Sequence, residues 1–271
     1  MSIVDPKLIY HRVYNPESPG KNAVPVVLLH GLMGFAANWG KVWPLLHGDR
    51  SVLVLDQRGH GRSPKPQNGY SPTDYAGDLA GLMDLMEWDK VHVVGHSMGG
   101  RVALRFASMH PGRTASLTME DSGTRAFPER VSWIQNLLGS IPTPFPDRDS
   151  ARRFFTDNFR SDPITGGFLH ANLEPKENGS LDWRFYAPGM VETIEKGRAV
   201  SAMSEFANIN APTLVVRGSR SVEFPADEAA EMAAARSGIS LVTIEGAGHY
   251  VHAEKPREFT SALASFLASV G

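Results

Sequence analysis

The stretch Lys90-Val91-His92-Val93-Val94-Gly95-His96-Ser97-Met98-Gly99-Gly100 constrains the fold more than any other part of the chain. It reads as an apolar strand, a very tight turn at Ser97, and a helix over 97–109 that stops at Pro111-Gly112. It matches G-x-S-x-G in the strand–turn–helix setting that this motif requires. A serine at such a turn sits in strained backbone geometry. Large side chains two residues to either side would collide with the turn, so Gly95 and Gly99 are physically needed. The helix that begins there aims its positive end at any oxyanion forming beside Ser97.

Other short apolar runs occur at 26–30, 51–56, 114–120, 212–217 and 240–244. Helix-like stretches at 36–46, 71–86, 225–235 and 256–268 fall between or after them, with Ser71-Pro72 and Asp74 as start signals for the second. Continuous apolar runs suit strands covered on both faces. Their alternation with helices predicts an α/β fold with a mostly parallel sheet and helices on both sides. Ligands then bind past the carboxyl ends of the strands.

One region breaks the alternation. Between 124 and 210 the helix signals (128–138, 150–159, 189–206) are clear and the strand signals weak, and a proline-rich segment lies at 141–146. Aromatics recur there at Trp133, Phe154, Phe155, Phe159, Trp183, Phe185 and Tyr186. Entering after the strand that ends near Glu120, this segment is expected to form a helical lid over the strand ends, with 1–123 and 211–271 making the core.

Two further motifs carry chemistry. His30-Gly31-Leu32-Met33-Gly34 follows the first long apolar strand and suits a loop that lends a backbone N–H to an oxyanion hole. Leu32 would supply one donor and Met98 the other. Gly246-Ala247-Gly248-His249 follows the last strand, where an imidazole can reach Ser97 and take its proton. His252 is the main competitor for that role, His11 and His92 read as structural, and His96 should point away from the Ser97 side chain.

With Asp56-Gln57-Arg58-Gly59-His60-Gly61-Arg62-Ser63, these motifs make the chain resemble the α/β-hydrolase superfamily over nearly its full length. The resemblance implies a triad in the order Ser, acid, His, and a structural role for 56–63 below the site. Most relatives carry the acid as Gly-x-x-Asp, but here the corresponding stretch is Gly218-Ser219-Arg220-Ser221. A minority place it one strand earlier, which points to Asp121; Glu120, Glu223 and Asp227 remain alternatives. The early acid, Trp183-Arg184-Phe185 and the segment 248–256 are similar to YbfF-type bacterial esterases and the related ABHD11-like hydrolases. That likeness implies a carboxylesterase or acyl-thioesterase with Ser97, Asp121 and His249 as its triad. Alternatives on the same triad are a C–C bond hydrolase or lyase, and, outside catalysis, a small-ligand receptor.

Composition narrows the partners. The chain of 271 residues has a formal charge of -2, which argues against nucleic acid, and no run of about 18 apolar residues to span a membrane. It has no cysteine, so disulfides and thiolate metal sites are excluded, and the chemistry calls for no metal or cofactor. The first seven residues lack a signal-peptide core, so a cytoplasmic location is expected. The substrate is expected to be a small ester or thioester. Its pocket is expected from Leu32, Met33, Phe35, Trp39, Met98, Trp183, Arg184 and Tyr250, with Arg125, Arg184 or Arg220 available to an anionic group. Nothing in the chain speaks to oligomeric state.

Overall fold

A computed structural model describes residues 4–16, 18 and 23–270. The two ends of the expected core, 1–3 and 271, lie outside the described residues. The apolar runs become strands: β1 (His11–Tyr14), β2 (Val26–Leu29), β3 (Val52–Leu55), β4 (Val91–His96), β5 (Thr114–Glu120), β6 (Leu173–Pro175), β7 (Leu181–Trp183), β8 (Thr213–Gly218) and β9 (Ile239–Ile244). The α-helices are α1 (Trp43–Leu46), α2 (Pro72–Leu85), α3 (Met98–Met109), α4 (Arg130–Gly139), α5 (Arg148–Asn158), α6 (Pro163–Ala171), α7 (Ala187–Arg198), α8 (Met203–Ala207), α9 (Ala226–Ala234), α10 (Val251–Glu254) and α11 (Pro256–Val270).

Seven strands form one sheet in the order β1-β3-β2-β4-β5-β8-β9. All neighbours run parallel except β1, which pairs antiparallel with β3 at the edge. The two-residue period of a strand sorts its side chains to opposite faces. Val27, Leu29, Leu53, Leu55, Val91 and Val93 enter one cluster, which α2, α3 and α9 complete through Leu79, Val102, Phe106 and Met232. Val26, Leu28, Val52, Val54 and Val94 enter the other, covered by Trp39 and by Phe259, Leu263 and Phe266 of α11. Each fully buried aliphatic contributes about 1.5–3 kcal/mol, so these faces set the strand register. The start signal read at Ser71 is a capping box. The Ser71 hydroxyl accepts from Asp74 N–H, and the Asp74 carboxylate accepts from Ser71 N–H at 3.1 Å, with Pro72 opening the helix.

Between β5 and β8 the chain leaves the sheet. Helices α4 to α7 and the antiparallel pair β6–β7 pack on a cluster of their own, including Ile134, Phe145, Phe155, Leu169, Trp183 and Met190, which Met33 joins from the loop after β2, whereas α8 packs through Met203 and Phe206 into the first sheet cluster. The α9 residue Glu228 pins the start of this insertion, its Oε1 accepting from Thr124 N–H (2.6 Å) and Arg125 N–H (2.7 Å). The helix read at 189–206 is two helices, α7 and α8, separated at 199–202. The sequence reading missed α6, with its paired Gly166-Gly167, and the three-residue strands β6 and β7, which are too short to show a period. It also missed β1, a four-residue edge strand of mixed polarity. No helix among the described residues is long and apolar enough to cross a membrane.

Candidate active site

The strand order reverses beside β2, since β3 lies on one side of it and β4 on the other. The connections leaving β2 and β4 therefore open a crevice at the carboxyl edge. Ser97 caps α3 with φ 51° and ψ −113°. A Cβ on Gly95 would overlap the Gly99 carbonyl, and one on Gly99 would overlap the carbonyls of Leu29 and His30, so the chain crosses itself here at van der Waals limits. One backbone and one side-chain bond lock the turn: Ser97 N–H donates to Glu120 O (2.9 Å), and Ser122 Oγ donates to Ser97 O (2.7 Å). Ser97 lines a cavity of about 720 Å³ between the sheet and the insertion.

The loop after β2 touches this turn. A Cβ on Gly31 would sit 3.4 Å from Ser97 Cβ. The N–H groups of Leu32 and Met98 donate to no described residue. Residues 56–60 support the loop. Asp56 Oδ1 accepts from Ala36 N–H (2.6 Å), and His60 Nε2 accepts from Met33 N–H (3.1 Å). His30 Nε2 accepts from Gln57 N–H (3.0 Å). Each of these imidazoles faces a carbonyl with Nδ1 and accepts at Nε2, so each is neutral with Nδ1 protonated. Burial pushes His30 down to about 4 and His60 to about 3.

The end of β5 supplies two successive carboxylates. Side chains of successive strand residues diverge, and Asp121 adds a left-handed turn at φ 44°. Glu120 consequently meets His252, its Oε1 accepting from His252 N–H (2.7 Å) and facing Nδ1 (2.9 Å). Asp121 meets His249, Oδ2 to Nδ1 at 2.7 Å. The same Oδ2 accepts from Ser221 Oγ (2.5 Å), and Oδ1 accepts from Gly218 N–H (3.0 Å). A carboxylate accepts only, so Nδ1 of His249 is the donor, and it is Nε2 that carries the lone pair of the neutral ring. His249 lines the cavity with Ser97, although no hydrogen bond joins the two side chains. His96 holds the His249 loop from beneath, Nε2–H donating to His249 O (2.9 Å). The other expected candidates for the acid are engaged elsewhere: Glu223 with Arg130 and Asp227 with Arg125.

The sequence profile described as "Alpha/beta hydrolase family" matches residues 26–262. The chain belongs to the alpha/beta hydrolase family. Among curated relatives, this hydrolase is similar to the sn-1-specific diacylglycerol lipase ABHD11 of Danio rerio, 32% identical over 257 residues, which are 91% of this chain and 79% of that one. It is also similar to the 2-(acetamidomethylene)succinate hydrolase of Mesorhizobium japonicum, 26% identical across 91% of this chain and 89% of the other. Among solved structures, a marine microorganism esterase superposes with a TM-score of 0.81 at 26% identity, covering 95% of this chain and 98% of its own.

The hydrolase's cavity is lined by Leu32, Met33, Met98 and Tyr250 of the expected pocket residues. Phe35, Trp39, Trp183 and Arg184 do not line it, which corrects the sequence reading. Trp39 is buried under the sheet against His252, Trp183 stacks on Phe185 inside the insertion, and Arg184 lies over the Phe35 ring. Periodicity and composition mark these residues as apolar or aromatic without saying which core they serve. Of the insertion aromatics, Trp133 lines the cavity, joined by Leu137, Ile164, Phe168 and Ile194, which the sequence reading passed over. Arg125 and Arg220 are tied to acidic neighbours. His96, Glu120 and His252 bring three ligand-type atoms within 4.8 Å, but His96 Nε2 and His252 Nδ1 already serve hydrogen bonds.

Proposed function

We propose that this hydrolase cleaves carboxylic esters or acyl thioesters through an acyl-enzyme on Ser97. The observation that carries the reading is the 2.7 Å contact of Asp121 Oδ2 with His249 Nδ1 in the cavity that Ser97 lines. It holds the imidazole in the tautomer whose Nε2 can accept a hydroxyl proton. Ser97 Oγ attacks the carbonyl carbon as His249 Nε2 takes its proton. The N–H groups of Leu32 and Met98 receive the oxyanion, and the insertion acts as a lid that keeps bulk water from it. His249 then gives that proton to the leaving alkoxide or thiolate, and the C–O or C–S bond breaks. Water, losing a proton to His249, adds to the acyl-enzyme; collapse releases the carboxylic acid and returns the proton to Ser97.

The test is active-site titration with a fluorophosphonate, followed by peptide mapping. One equivalent on Ser97, with loss of 4-nitrophenyl butyrate hydrolysis in Ser97→Ala, supports the reading. Ester turnover by Ser97→Ala at the wild-type rate overturns it. Turnover of a diketone with no turnover of esters would move the same residues to C–C bond hydrolysis.

A further inference from the structure

Four arginines reach the cavity wall: Arg101, Arg130, Arg198 and Arg220. Arg130 is paired with Glu223, and Arg220 meets Glu254 at 3.5 Å. Arg101 and Arg198 form no ion pair with any described residue. Arg101 is only 5% exposed; its Nη2 donates to the Arg125 carbonyl (2.6 Å), and its Nε is buried without a partner. The Arg198 guanidinium makes no hydrogen bond to a described residue. Burial pushes both guanidinium groups down from their ordinary value, Arg101 to about 9, and the charge of Arg198 adds to the effect on Arg101. The two line one cavity and act on each other's charge, and the carboxylate of Glu228, with Glu205 near Arg101 and Glu223 near Arg198, offsets their burial only in part. A further anion between them would offset what those carboxylates leave and would give Arg101 Nε an acceptor.

We propose that Arg101 and Arg198 form an anion subsite, which binds a carboxylate or phosphate group carried by the substrate. Its link to catalysis rests on the Ser97 reading above. Arg101 lies one helical turn beyond Ser97 on α3, with its N–H 3.3 Å from Ser97 O. Their Cα atoms are therefore about 6 Å apart. Helical side chains lean toward the N-terminus, so Arg101 reaches back along the wall that Ser97 caps. Arg198 approaches from the end of α7 in the insertion. An anion held by both would sit a few bonds from the reacting carbonyl, the reach of a short dicarboxylic half-ester, and would tie the insertion to the sheet. Guanidinium groups suit this task because they present several fixed donors to an oxyanion.

The experiment compares mono-4-nitrophenyl glutarate with the same molecule capped as its methyl ester. Wild-type enzyme is expected to prefer the free acid by about tenfold or more in kcat/KM. Arg198→Met should lower that preference about tenfold, and Arg198→Lys should restore part of it. Equal turnover of the two esters by wild type overturns the proposal whatever the variants do, as does an equal loss on both esters in Arg198→Met. Calorimetric titration of Ser97→Ala with glutarate, and separately with inorganic phosphate, distinguishes the two anion sources; binding of either supports the subsite, and binding of neither overturns it. Fluorophosphonate labelling separates the two failures. Anion binding without labelling removes the hydrolase mechanism and leaves the subsite, and labelling without anion binding does the reverse.

Discussion

Ser221 Oγ donates to Asp121 Oδ2 at 2.5 Å, and that oxygen is the one that faces His249 Nδ1. Ser221 follows β8 and Asp121 follows β5, and these strands are neighbours. Either strand end can therefore present a group to the same imidazole. Here β5 presents the charge and β8 steadies it with a hydroxyl. Asp121→Asn is expected to lower kcat on 4-nitrophenyl butyrate by about 10³–10⁴, because an amide can present its NH₂ to Nδ1 and favour the wrong tautomer. Ser221→Ala should cost roughly tenfold or less, through looser orientation of a carboxylate that keeps its charge. Asp121→Asn activity within tenfold of wild type would remove Asp121 from the mechanism.

Glu120 serves the second histidine of the same loop. Its buried carboxylate takes both the N–H and the ring of His252, whose ring packs on Trp39. Glu120→Ala leaves those groups buried without their acceptor. We expect a loss of about 2–4 kcal/mol in urea-induced unfolding, larger than for Glu223→Ala at the partly exposed Arg130 pair. Equal unfolding midpoints for the two variants would contradict this.

The turn at Ser97 tolerates no added carbon at Gly99. A Cβ there meets two backbone carbonyls that cannot rotate aside. Gly99→Ala is expected to destabilise the fold by roughly 3 kcal/mol and to abolish fluorophosphonate labelling, whereas Gly112→Ala, where a Cβ has open space, should do neither. Thermal denaturation and labelling of the two variants decide it.

Stability should fall in mild acid through the buried histidines. His30, His60 and His96 are buried, and burial holds all three below the ordinary histidine value. As pH drops below about 6.5 the unfolded chain gains protons at these sites and the folded chain does not, so stability decreases with falling pH. The loss continues until pH reaches the folded values, about 4 for His30 and about 3 for His60. Each such group contributes a slope approaching ~1.4 kcal/mol per pH unit in that window. Urea unfolding at pH 7 and pH 5 measures it; identical free energies would mean these imidazoles are protonated in the native state.

The parallel sheet and the elbow at Ser97 were legible because each rests on local requirements, whereas the role of 56–63 was implied only by the family resemblance, since its bonds to the loop after β2 span 20 to 27 residues. Apolar runs of strand length, a serine flanked by Gly95 and Gly99, and a capping box at Ser71 act within a few residues, and no distant partner can reverse them. Local pattern left pairing open, and only the family resemblance pointed to Asp121. Asp121 and His249 are 128 residues apart, and four carboxylates at 120, 121, 223 and 227 were chemically eligible. Only the register of β5 against β8, with the turn at Asp121, decides which one meets the imidazole. The arginines divide in the same way. Composition marks them all as charged, but which of them form ion pairs and which line the cavity depends on how the insertion packs on the sheet. Periodicity and turn chemistry are short-range properties written along the chain, whereas ion pairs and cavities are set by distances between segments that meet only in the folded molecule.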